Sequence, residues 1–416
     1  MKRNINLAVA FLALATPLFG SDQIPGAKQT KAIALVGGTI HTVSGKPIVG
    51  GTVLFEDGKI TAVGADVGIP DDAQVISVED KHVYPSLIES MSDIGLVEIN
   101  AVRASVDNTE IGSVNPNVRA VAAFNPDSEI IPVNRANGVL LAVTAPSGRF
   151  IAGRSSLMMM DGWTWEDMAL KQDVGMHIRW PSNEDDIEEL AQLLSQTRRY
   201  HAARKANPDA QPVDLKLEAL GLLTTGKLPA VVYATSMNDI TSAVAFAQRE
   251  ELRLIISGGY DAPEVAPLLK KAGIPVLVTA VYRTPSRRHR EYDEGYTLPA
   301  RLEEAGIAYC ISAGGRFGAS GVRNLPYNAA TAAAYGLTPE QALRAITLSP
   351  AEILGVGDRV GSIDVGKDAT LFVADGDILE TPTHVEQAFI QGRKVDLDNK
   401  HKQLYRKYSA KYKRMK

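Results

Sequence analysis

Short apolar runs alternate with helical patterns of apolar residues through the middle of the chain, over residues 138–346. A short apolar run predicts a buried strand, and apolar residues spaced three and four apart predict an amphipathic helix. The pattern predicts strands at residues 138–145, 230–234, 252–256, 275–281 and 308–312. It predicts helices at residues 187–205, 238–248, 265–272, 298–305, 328–335 and 339–346.

Strands that alternate with helices form parallel βαβ units. The alternation fits residues 86–350, and a TIM-type barrel typically takes about 250 residues. We therefore predict an α/β fold built on a (β/α)8 TIM-type barrel. The alternative is a doubly wound open sheet, which normally has a G-x-G-x-x-G phosphate loop after its first strand. Gly37-Gly38 and Gly50-Gly51 lack that spacing, which favours the barrel.

Both ends of the mature chain have β patterns. Residues 32–38 read as a strand, and residues 51–63 read as a hairpin that turns at Asp57-Gly58, a strong hairpin signal. The far end has β-rich runs at 369–374 and 385–395. A two-stranded hairpin is only marginally stable alone, so neither end is expected to close a core by itself. We predict one small β-sandwich domain from residues 30–85 and 351–397, followed by a basic C-terminal tail at 398–416.

Residues 1–21 have the pattern of a secretory signal peptide. Lys2 and Arg3 precede a nine-residue apolar run at 7–15, and the small residues Gly20 and Ser21 follow it. A membrane-spanning helix needs about 20 apolar residues, so this run is too short, and no other segment reads as a span. We expect an exported protein, periplasmic or secreted, with no membrane span.

The composition excludes several classes of protein. The 416 residues are 45% hydrophobic and 22% charged, with a formal net charge of −4. Nucleic-acid-binding proteins carry a basic excess, so no nucleic-acid partner is expected. Cys310, the only cysteine, lies in an apolar run, which excludes an internal disulfide and a cysteine-built zinc site. We expect a buried structural thiol there, and a solvated helix in the basic tail.

Five motifs then appear in a characteristic order. They are GGTI at 37–40, EDGKITAVG at 56–64, VYPSLIE at 83–89, LSPAEILG at 348–355 and GSIDVGKDA at 361–369. In this order they resemble the motifs of the amidohydrolase superfamily, and of its imidazolonepropionase-like members in particular. The five motifs lie near both ends of the mature chain, so the resemblance covers nearly all of it. It implies a barrel with a small β-domain, and an activity on non-peptide carbon–nitrogen bonds.

The resembling family holds a divalent metal at the mouth of its barrel, and the metal lowers the pKa of a bound water so that the water becomes a nucleophile. Its ligands are an H-x-H after the first strand, later histidines and an aspartate after the last strand. Aligned on Pro85, the two histidines of H-x-H correspond to Met91 and Asp93. The later histidines correspond to Tyr233 and the segment 257–259, and the aspartate corresponds to Ala313 or Gly314.

Phenol and thioether groups do not replace imidazole for a hard or borderline ion. The seven histidines are scattered, and only His177 and His289 are expected near the barrel rim; the others are His41, His82, His201, His384 and His401. The resemblance therefore implies that the usual metal ligands have been replaced, and we predict no metal cofactor. We still expect Met91, Asp93 and Tyr233 to face one cavity.

A barrel enzyme has its site at the carboxyl ends of its strands. Asp93 is the candidate catalytic residue there, with Glu89 and Glu98 as further carboxylates that need not converge with it. The candidate substrate-binding residues at the predicted rim are Arg154, Tyr233, Tyr260, Arg283, Arg323 and Asn324. A guanidinium matches a carboxylate or phosphate, so these residues predict a pocket for an anionic small molecule. The alternative is that the arginines form salt bridges with acidic loop residues.

Two functions remain open at this point. The first is an amidohydrolase-like enzyme that acts on a carbon–nitrogen bond, through an unusual metal site around Asp93 or without metal. The second is a catalytically silent relative that binds a ligand, or that assembles as a homo-oligomer or as a subunit beside an active paralogue. The loss of nearly all metal ligands at once favours the second function.

Overall fold

The computed structural model describes residues 23–209, 211–285, 287–314 and 318–415, and the predicted signal peptide lies outside these residues. The strands are β1 (Ile33–Ile40), β2 (Ile48–Glu56), β3 (Lys59–Gly64), β4 (Gln74–Ser77), β5 (His82–Pro85), β6 (Leu87–Ser92), β7 (Val139–Thr144), β8 (Ile151–Met159), β9 (Ala169–Arg179), β10 (Ala230–Ala234), β11 (Leu254–Gly258), β12 (Val276–Val278), β13 (Tyr309–Ile311), β14 (Leu371–Ala374), β15 (Val385–Ile390) and β16 (Arg393–Val395).

The helices are α1 (Ile130–Arg135), α2 (Trp165–Met168), α3 (Glu184–Ala206), α4 (Leu215–Thr224), α5 (Met237–Arg249), α6 (Ala266–Ala272), α7 (Glu294–Ala305), α8 (Leu325–Ala334), α9 (Pro339–Ala345), α10 (Leu348–Ile353) and α11 (Lys400–Arg414). Several begin where a polar side chain satisfies the free amides of the first turn. Ser236 caps α5 in this way. Thr338 and Gln341 form a reciprocal capping box at the start of α9. None of the helices in the described residues is long and apolar enough to cross a membrane.

One sheet joins the two ends of the chain. Its strand order is β16-β15-β14-β5-β1-β2-β3, with β4 also paired to β1. The link is the antiparallel pair β5–β14, where Val83 lies opposite Val373. The β2–β3 hairpin turns at Asp57 and Gly58, whose φ values of 49° and 77° suit a two-residue hairpin turn. The strands of this domain form one continuous sheet instead of two separate layers, because β5 pairs with both β1 and β14.

The second sheet is a nearly closed eight-stranded barrel with the order β13-β12-β11-β10-β9-β8-β7-β6. Neighbouring strands are parallel except at β8, which runs antiparallel to both β7 and β9. The predicted (β/α)8 alternation is therefore interrupted, because the β8–β9 hairpin stands where that alternation requires a crossover helix. Met158 and Met159 lie at the end of β8. Gly153, with φ 129°, and the polar residues after it divide this strand's apolar run, which hid it from pattern analysis.

The core follows from the barrel geometry. A large cluster of buried apolar side chains lies between the strands and the surrounding helices, and Leu140, Val232, Ile256 and Leu298 belong to it. A smaller cluster inside the barrel contains Cys310 together with side chains of three neighbouring strands. The predicted buried thiol is confirmed, and burial raises its pKa to about 12. The barrel interior is thus packed beneath its mouth, which leaves the mouth as the place for a site.

Candidate functional site

A cavity of about 780 Å³ opens at the carboxyl ends of the barrel strands. Asp93, Tyr233, Tyr260 and Arg283, which lie at or beyond the ends of β6, β10, β11 and β12, are among the residues that line it. Enzymes with this architecture build their sites here because the loops after the strands converge. Small-molecule sites commonly have volumes of about 300–1,000 Å³, so this barrel-mouth cavity is the candidate site.

The aligned ligand positions come together in this cavity. Met91, Asp93 and Tyr233 line it, as the alignment predicts, and Ser257 and Gly314 line it as well. The aligned positions therefore lie together at one mouth of the barrel, although their side chains differ from the ligands that the resemblance implies.

Asp93 is half-buried and already bonded to the protein. Its Oδ1 accepts a hydrogen bond from the backbone N–H of Ala319 at 2.6 Å. Gly318 has φ 54°, and a Cβ at that position would lie 2.8 Å from the same oxygen. Asp93 therefore holds the loop after β13 closely against the end of β6, and only a glycine fits beside it without strain.

Glu89 lies at the seam where β6 and β13, the two ends of the barrel sheet, meet. It is fully buried, and its carboxyl group accepts hydrogen bonds from the Ser312 hydroxyl, from the Ala313 N–H at 2.8 Å and from the Met91 N–H at 3.0 Å. Burial raises its pKa to about 7, although these hydrogen bonds act in the opposite direction. Glu89 thus links the two strands through its side chain.

The three predicted carboxylates do not converge. Glu98 accepts hydrogen bonds from the Ser128 hydroxyl at 2.6 Å and from the Glu129 N–H at 3.0 Å, at the start of α1. Neither Glu98 nor the fully buried Glu89 lines the cavity, so Asp93 is the member of that set which reaches it.

Arg283 also lines the cavity, as part of a wall separate from the one that Asp93 forms. Its Nη1 donates to Glu294 Oε2 at 2.8 Å, and the guanidinium carbon lies 4.1 Å from the centre of the Tyr260 ring. The Arg283 side chain is only 9% exposed. Its Nε and Nη2 have no hydrogen-bond acceptor. A buried guanidinium with two unpaired nitrogens is a strong donor of hydrogen bonds that the protein itself does not use.

Tyr233 and Tyr260 stand next to each other in the cavity. Burial raises the pKa of Tyr233, the neighbouring Tyr260 raises it further, and the charge of Arg179 acts in the opposite direction. The Arg179 guanidinium lies 5.3 Å from the centre of the Tyr233 ring. Tyr233 therefore stays a neutral phenol at physiological pH.

The other predicted substrate-binding residues lie elsewhere. Arg154 pairs across the β8–β9 hairpin with Asp173 at 3.1 Å, as the salt-bridge alternative predicts. Arg323 Nη1 lies 3.1 Å from His401 Nδ1, and Asn324 is the residue that precedes α8. None of these three lines the cavity. The prediction placed Arg154 in a loop at the rim, whereas the structure places it within β8.

The sequence analysis missed two features of this wall, namely the ion-pair partner of Arg283, which does not itself line the cavity, and two tyrosines, which do. Glu294, the partner of Arg283, is the first residue of α7, which begins four residues earlier than the pattern predicts. The i,i+4 spacing of Arg290 and Glu294 was the available signal. Tyr282 and Tyr296 add aromatic surface to the same wall.

The side chains at the aligned positions do not fit the metal of the resembling family. They offer a thioether, one carboxylate, a neutral phenol and a hydroxyl, whereas a catalytic zinc is held by imidazole, thiolate or carboxylate ligands. Among the described residues, no group of three or more His, Cys, Asp or Glu side chains is placed to hold a metal ion. His177 is buried within β9, where burial lowers its pKa to about 4, and His289 is exposed in a loop.

Comparisons with known proteins agree with this architecture. A family model described as the amidohydrolase family matches residues 295–396. The amidohydrolase tasK of Hapsidospora irregularis is 22% identical over 400 residues, which represent 82% of this chain and 39% of that relative. This chain therefore spans well under half the length of the curated relative.

Solved structures give the same result. The crystal structure of an amidohydrolase from Thermotoga maritima MSB8 matches with a TM-score of 0.80 and 25% identity, over 88% of this chain and 99% of that one. A zinc-bound adenosine deaminase from Xanthomonas campestris shares the fold, with a TM-score of 0.53 and 16% identity over 88% of this chain and 93% of that one. The family model, the curated relative and the Thermotoga maritima structure together support membership of the amidohydrolase superfamily.

Proposed function

We propose that the barrel-mouth cavity binds a small anionic molecule that carries a carboxylate, and that this chain has lost the usual metal site of its superfamily. Arg283 is the observation on which the proposal rests. It lines the cavity, it is nearly buried, and two of its three guanidinium nitrogens have no acceptor.

A carboxylate suits these donors. An unsatisfied buried hydrogen-bonding group costs about 1–3 kcal/mol, so a ligand that supplies an acceptor gains that free energy on binding. The guanidinium is planar, and a carboxylate can accept from two of its N–H groups at once. Glu294 occupies Nη1 and neutralises part of the charge, yet Nε and Nη2 still lack an acceptor, and a ligand in the cavity reaches these buried nitrogens after a small shift of the surrounding side chains.

The remaining walls favour a ligand with an apolar or aromatic body. Tyr233, Tyr260, Tyr282 and Tyr296 line the cavity, and ligand sites are typically apolar with a few placed polar groups. Ser257 supplies one such group, because its buried hydroxyl has no partner. We accordingly expect an aryl- or alkyl-bearing carboxylate, bound with its charged end at Arg283.

The donor chemistry supports the loss of the metal site. Asp93 is one carboxylate, and its Oδ1 is already committed to the Ala319 N–H. Tyr233 would have to lose its proton to ligate an ion, and its raised pKa opposes that loss. On this proposal the exported protein acts by binding, alone or as a homo-oligomer or partner subunit of an active paralogue.

The second candidate function is hydrolysis of a non-peptide carbon–nitrogen bond. The observation in its favour is the position of Asp93, whose carboxylate lines the cavity where it could accept a proton from water. The two functions share the cavity and differ in what happens to the ligand.

Calorimetric titration with a matched pair of compounds tests the binding proposal. N-acetyl-L-phenylalanine carries the carboxylate, and N-acetyl-L-phenylalaninamide has the same shape without the charge. A hydrogen-bonded charge contributes about 1.5–3 kcal/mol, so we expect the acid to bind about tenfold to a hundredfold more tightly. Arg283→Met should abolish the difference. Arg344→Met, an arginine paired with Glu352 and outside the cavity wall, should preserve it.

Equal affinity for acid and amide would contradict the proposal, as would discrimination that survives in Arg283→Met. If neither compound binds and native mass spectrometry of the purified protein finds no anionic small molecule, the proposal also fails. Release of acetate from the bound acid would favour the hydrolase instead.

Elemental analysis tests the lost metal site. We expect no stoichiometric Zn, Fe, Ni or Mn in the purified protein. The triple variant Met91→His, Asp93→His and Tyr233→His should gain metal without gaining activity, because the later histidine and the aspartate positions remain unfilled. About one tightly bound transition metal per chain in the unmodified protein would contradict this and favour the hydrolase.

A further inference from the structure

The C-terminal helix α11 stands at the surface with none of its residues buried. It is fixed at its first turn. The Asn399 side chain accepts from the Lys402 N–H and caps the helix, and Arg406 forms a salt bridge with Asp398. An isolated helix of this length is only marginally stable in water, so an amphipathic face normally needs something to pack against.

The helix has two different faces. Leu404, Tyr405, Tyr408, Tyr412 and Met415 follow spacings of one, three, four and three residues, which place them within one arc of the helix surface. All five are exposed, from 39% for Leu404 to 74% for Tyr405. The other face is formed mainly by lysine and arginine side chains. This apolar arc is therefore not covered by the rest of the described chain.

The charge of the helix differs from that of the whole protein. Residues 399–415 contain seven lysines and arginines and no aspartate or glutamate, whereas the full chain has a net charge of −4. The cations border the apolar arc, with Lys400 and Lys411 on one side, and Lys402 and Lys413 beyond Ser409 on the other. Long lysine stems can lie along apolar surface while their ammonium groups stay in water.

We propose that α11 is an interfacial helix that binds the surface of an anionic phospholipid membrane. A basic polar face with an apolar face opposite is the pattern of helices that lie in the plane of the interface. Tyrosine suits that position, because its ring enters the acyl boundary while its hydroxyl stays at the headgroups. The lysines then contact lipid phosphates, and the barrel stays in solution beside the membrane.

Other polyanions fit these observations less well. A helix that tracks nucleic-acid phosphates needs cations but no exposed apolar arc. A second copy of this chain offers acidic surface, yet it would have to match seven cations and five apolar side chains at fixed positions. A fluid lipid surface adapts to both faces at once.

Sedimentation with lipid vesicles tests the proposal on the full-length protein. We expect binding to vesicles that contain phosphatidylglycerol, weak binding to pure phosphatidylcholine, and release by high salt. Each cation near an anionic surface changes the partition coefficient by about fivefold, so Lys407→Gln with Lys411→Gln should lower it by about twenty-fivefold. The matched control is Lys270→Gln with Lys271→Gln, which removes the same charge from the exposed end of α6.

A second measurement examines the apolar arc. Tyr412→Trp should give a blue-shifted emission difference, relative to the unmodified protein, when phosphatidylglycerol vesicles are added. Equal binding to both vesicle types, or equal losses in the two double variants, would overturn the proposal. Self-association of the protein without lipid would also overturn the proposal if Lys407→Gln with Lys411→Gln abolished it, because a second copy of the chain would then be the partner of α11. Tighter binding to a DNA duplex than to the vesicles would overturn it as well.

Discussion

The two walls of the barrel-mouth cavity differ in how their polar groups are satisfied. The first, the acidic wall, is formed by Asp93, with Glu89 and Ser312 buried in the adjoining seam, and its carboxyl groups accept hydrogen bonds from the protein's own amides and from the Ser312 hydroxyl. The second, the arginine wall, consists of Tyr260 and Arg283, and Arg283 is paired with Glu294, which does not itself line the cavity. There the guanidinium has one acceptor and two unpaired nitrogens.

This difference suggests that the acidic wall stabilises the fold and that the arginine wall binds the ligand. The resemblance aligns the family's first metal ligands with Met91 and Asp93, and here the wall around these residues is tied into the seam that closes the barrel. Its polar groups have little left for a ligand. The arginine wall is incomplete in the protein alone, so it is the part of the mouth where a ligand adds most. We therefore expect changes in the acidic wall to affect the free energy of unfolding, and changes in the arginine wall to affect binding as well.

The largest expected loss of stability comes from Glu89→Ala. This change leaves the Ser312 hydroxyl and the Ala313 and Met91 N–H groups without their acceptor at a fully buried seam. We expect the free energy of unfolding to fall by about 4 kcal/mol, since each unsatisfied buried donor costs about 1–3 kcal/mol and some relaxation follows. Urea denaturation followed by circular dichroism measures it.

Glu98→Ala is the matched control, because it also removes a carboxylate with two hydrogen bonds. Water can reach this partly exposed position and replace them, so the expected loss is about 1 kcal/mol. Similar losses for the two variants would mean that the seam does not depend on Glu89.

The next effect concerns the arginine wall. Arg283→Met leaves Glu294, whose side chain is 2% exposed, with only Arg290 nearby at 3.4 Å. Breaking a buried ion pair costs about 3–5 kcal/mol, and the remaining arginine favours the lower end, about 3 kcal/mol. Thermal and urea denaturation of Arg283→Met, Glu294→Met and the double variant give the coupling energy.

We expect the double variant to be about 1–3 kcal/mol more stable than the sum of the single losses, as for two residues in direct contact. The stable double variant also separates folding from recognition, because it should still lack the preference for N-acetyl-L-phenylalanine over its amide. Additive losses would mean that the two side chains act independently.

The sequence predicted much of this arrangement. Ordered motifs placed Met91, Asp93 and Tyr233 at one mouth, and the structure brings them together there. Tyr260 and Arg283 were found because they follow strands that the apolar pattern marks clearly. The hairpin at Asp57-Gly58 has the predicted turn because few residue pairs accept positive φ at both positions.

Strand direction and hydrogen bonding could not be predicted. Arg154 was placed at the rim because β8 was not recognised as a strand, and its apolar run is divided by Gly153 and polar residues. The roles of Glu89 and Glu294 depend on partners 223 and 11 residues away, which no local pattern encodes. Whether an arginine is free or paired is therefore a property of the fold.

The last predicted effect is a change of stability with pH, and its sign distinguishes Glu89 from His177 and His41. Burial raises the pKa of Glu89 from 4.5 to about 7, so its stabilising contribution is fully present below pH 4.5 and is lost as the pH rises through about 7. Burial lowers the pKa of His177 and of His41 from 6.5 to about 4, so their contribution is lost as the pH falls from 6.5. The two effects oppose each other within one window.

Glu89→Gln isolates the carboxyl group, because glutamine keeps an acceptor at the seam but cannot ionise, and both histidines are unchanged. The unmodified protein should gain stability relative to this variant as the pH falls from about 7 toward 4.5, since the folded state then holds a proton that the unfolded state releases. One unit of pKa shift corresponds to about 1.4 kcal/mol, so we expect the difference in unfolding free energy to change by about 2 kcal/mol over the practicable part of this window. Urea titrations at several pH values measure the difference directly. A difference that stays constant with pH would mean that Glu89 is ionised throughout, and that the acidic wall holds a buried charge in place of a neutral hydrogen-bonded carboxyl group.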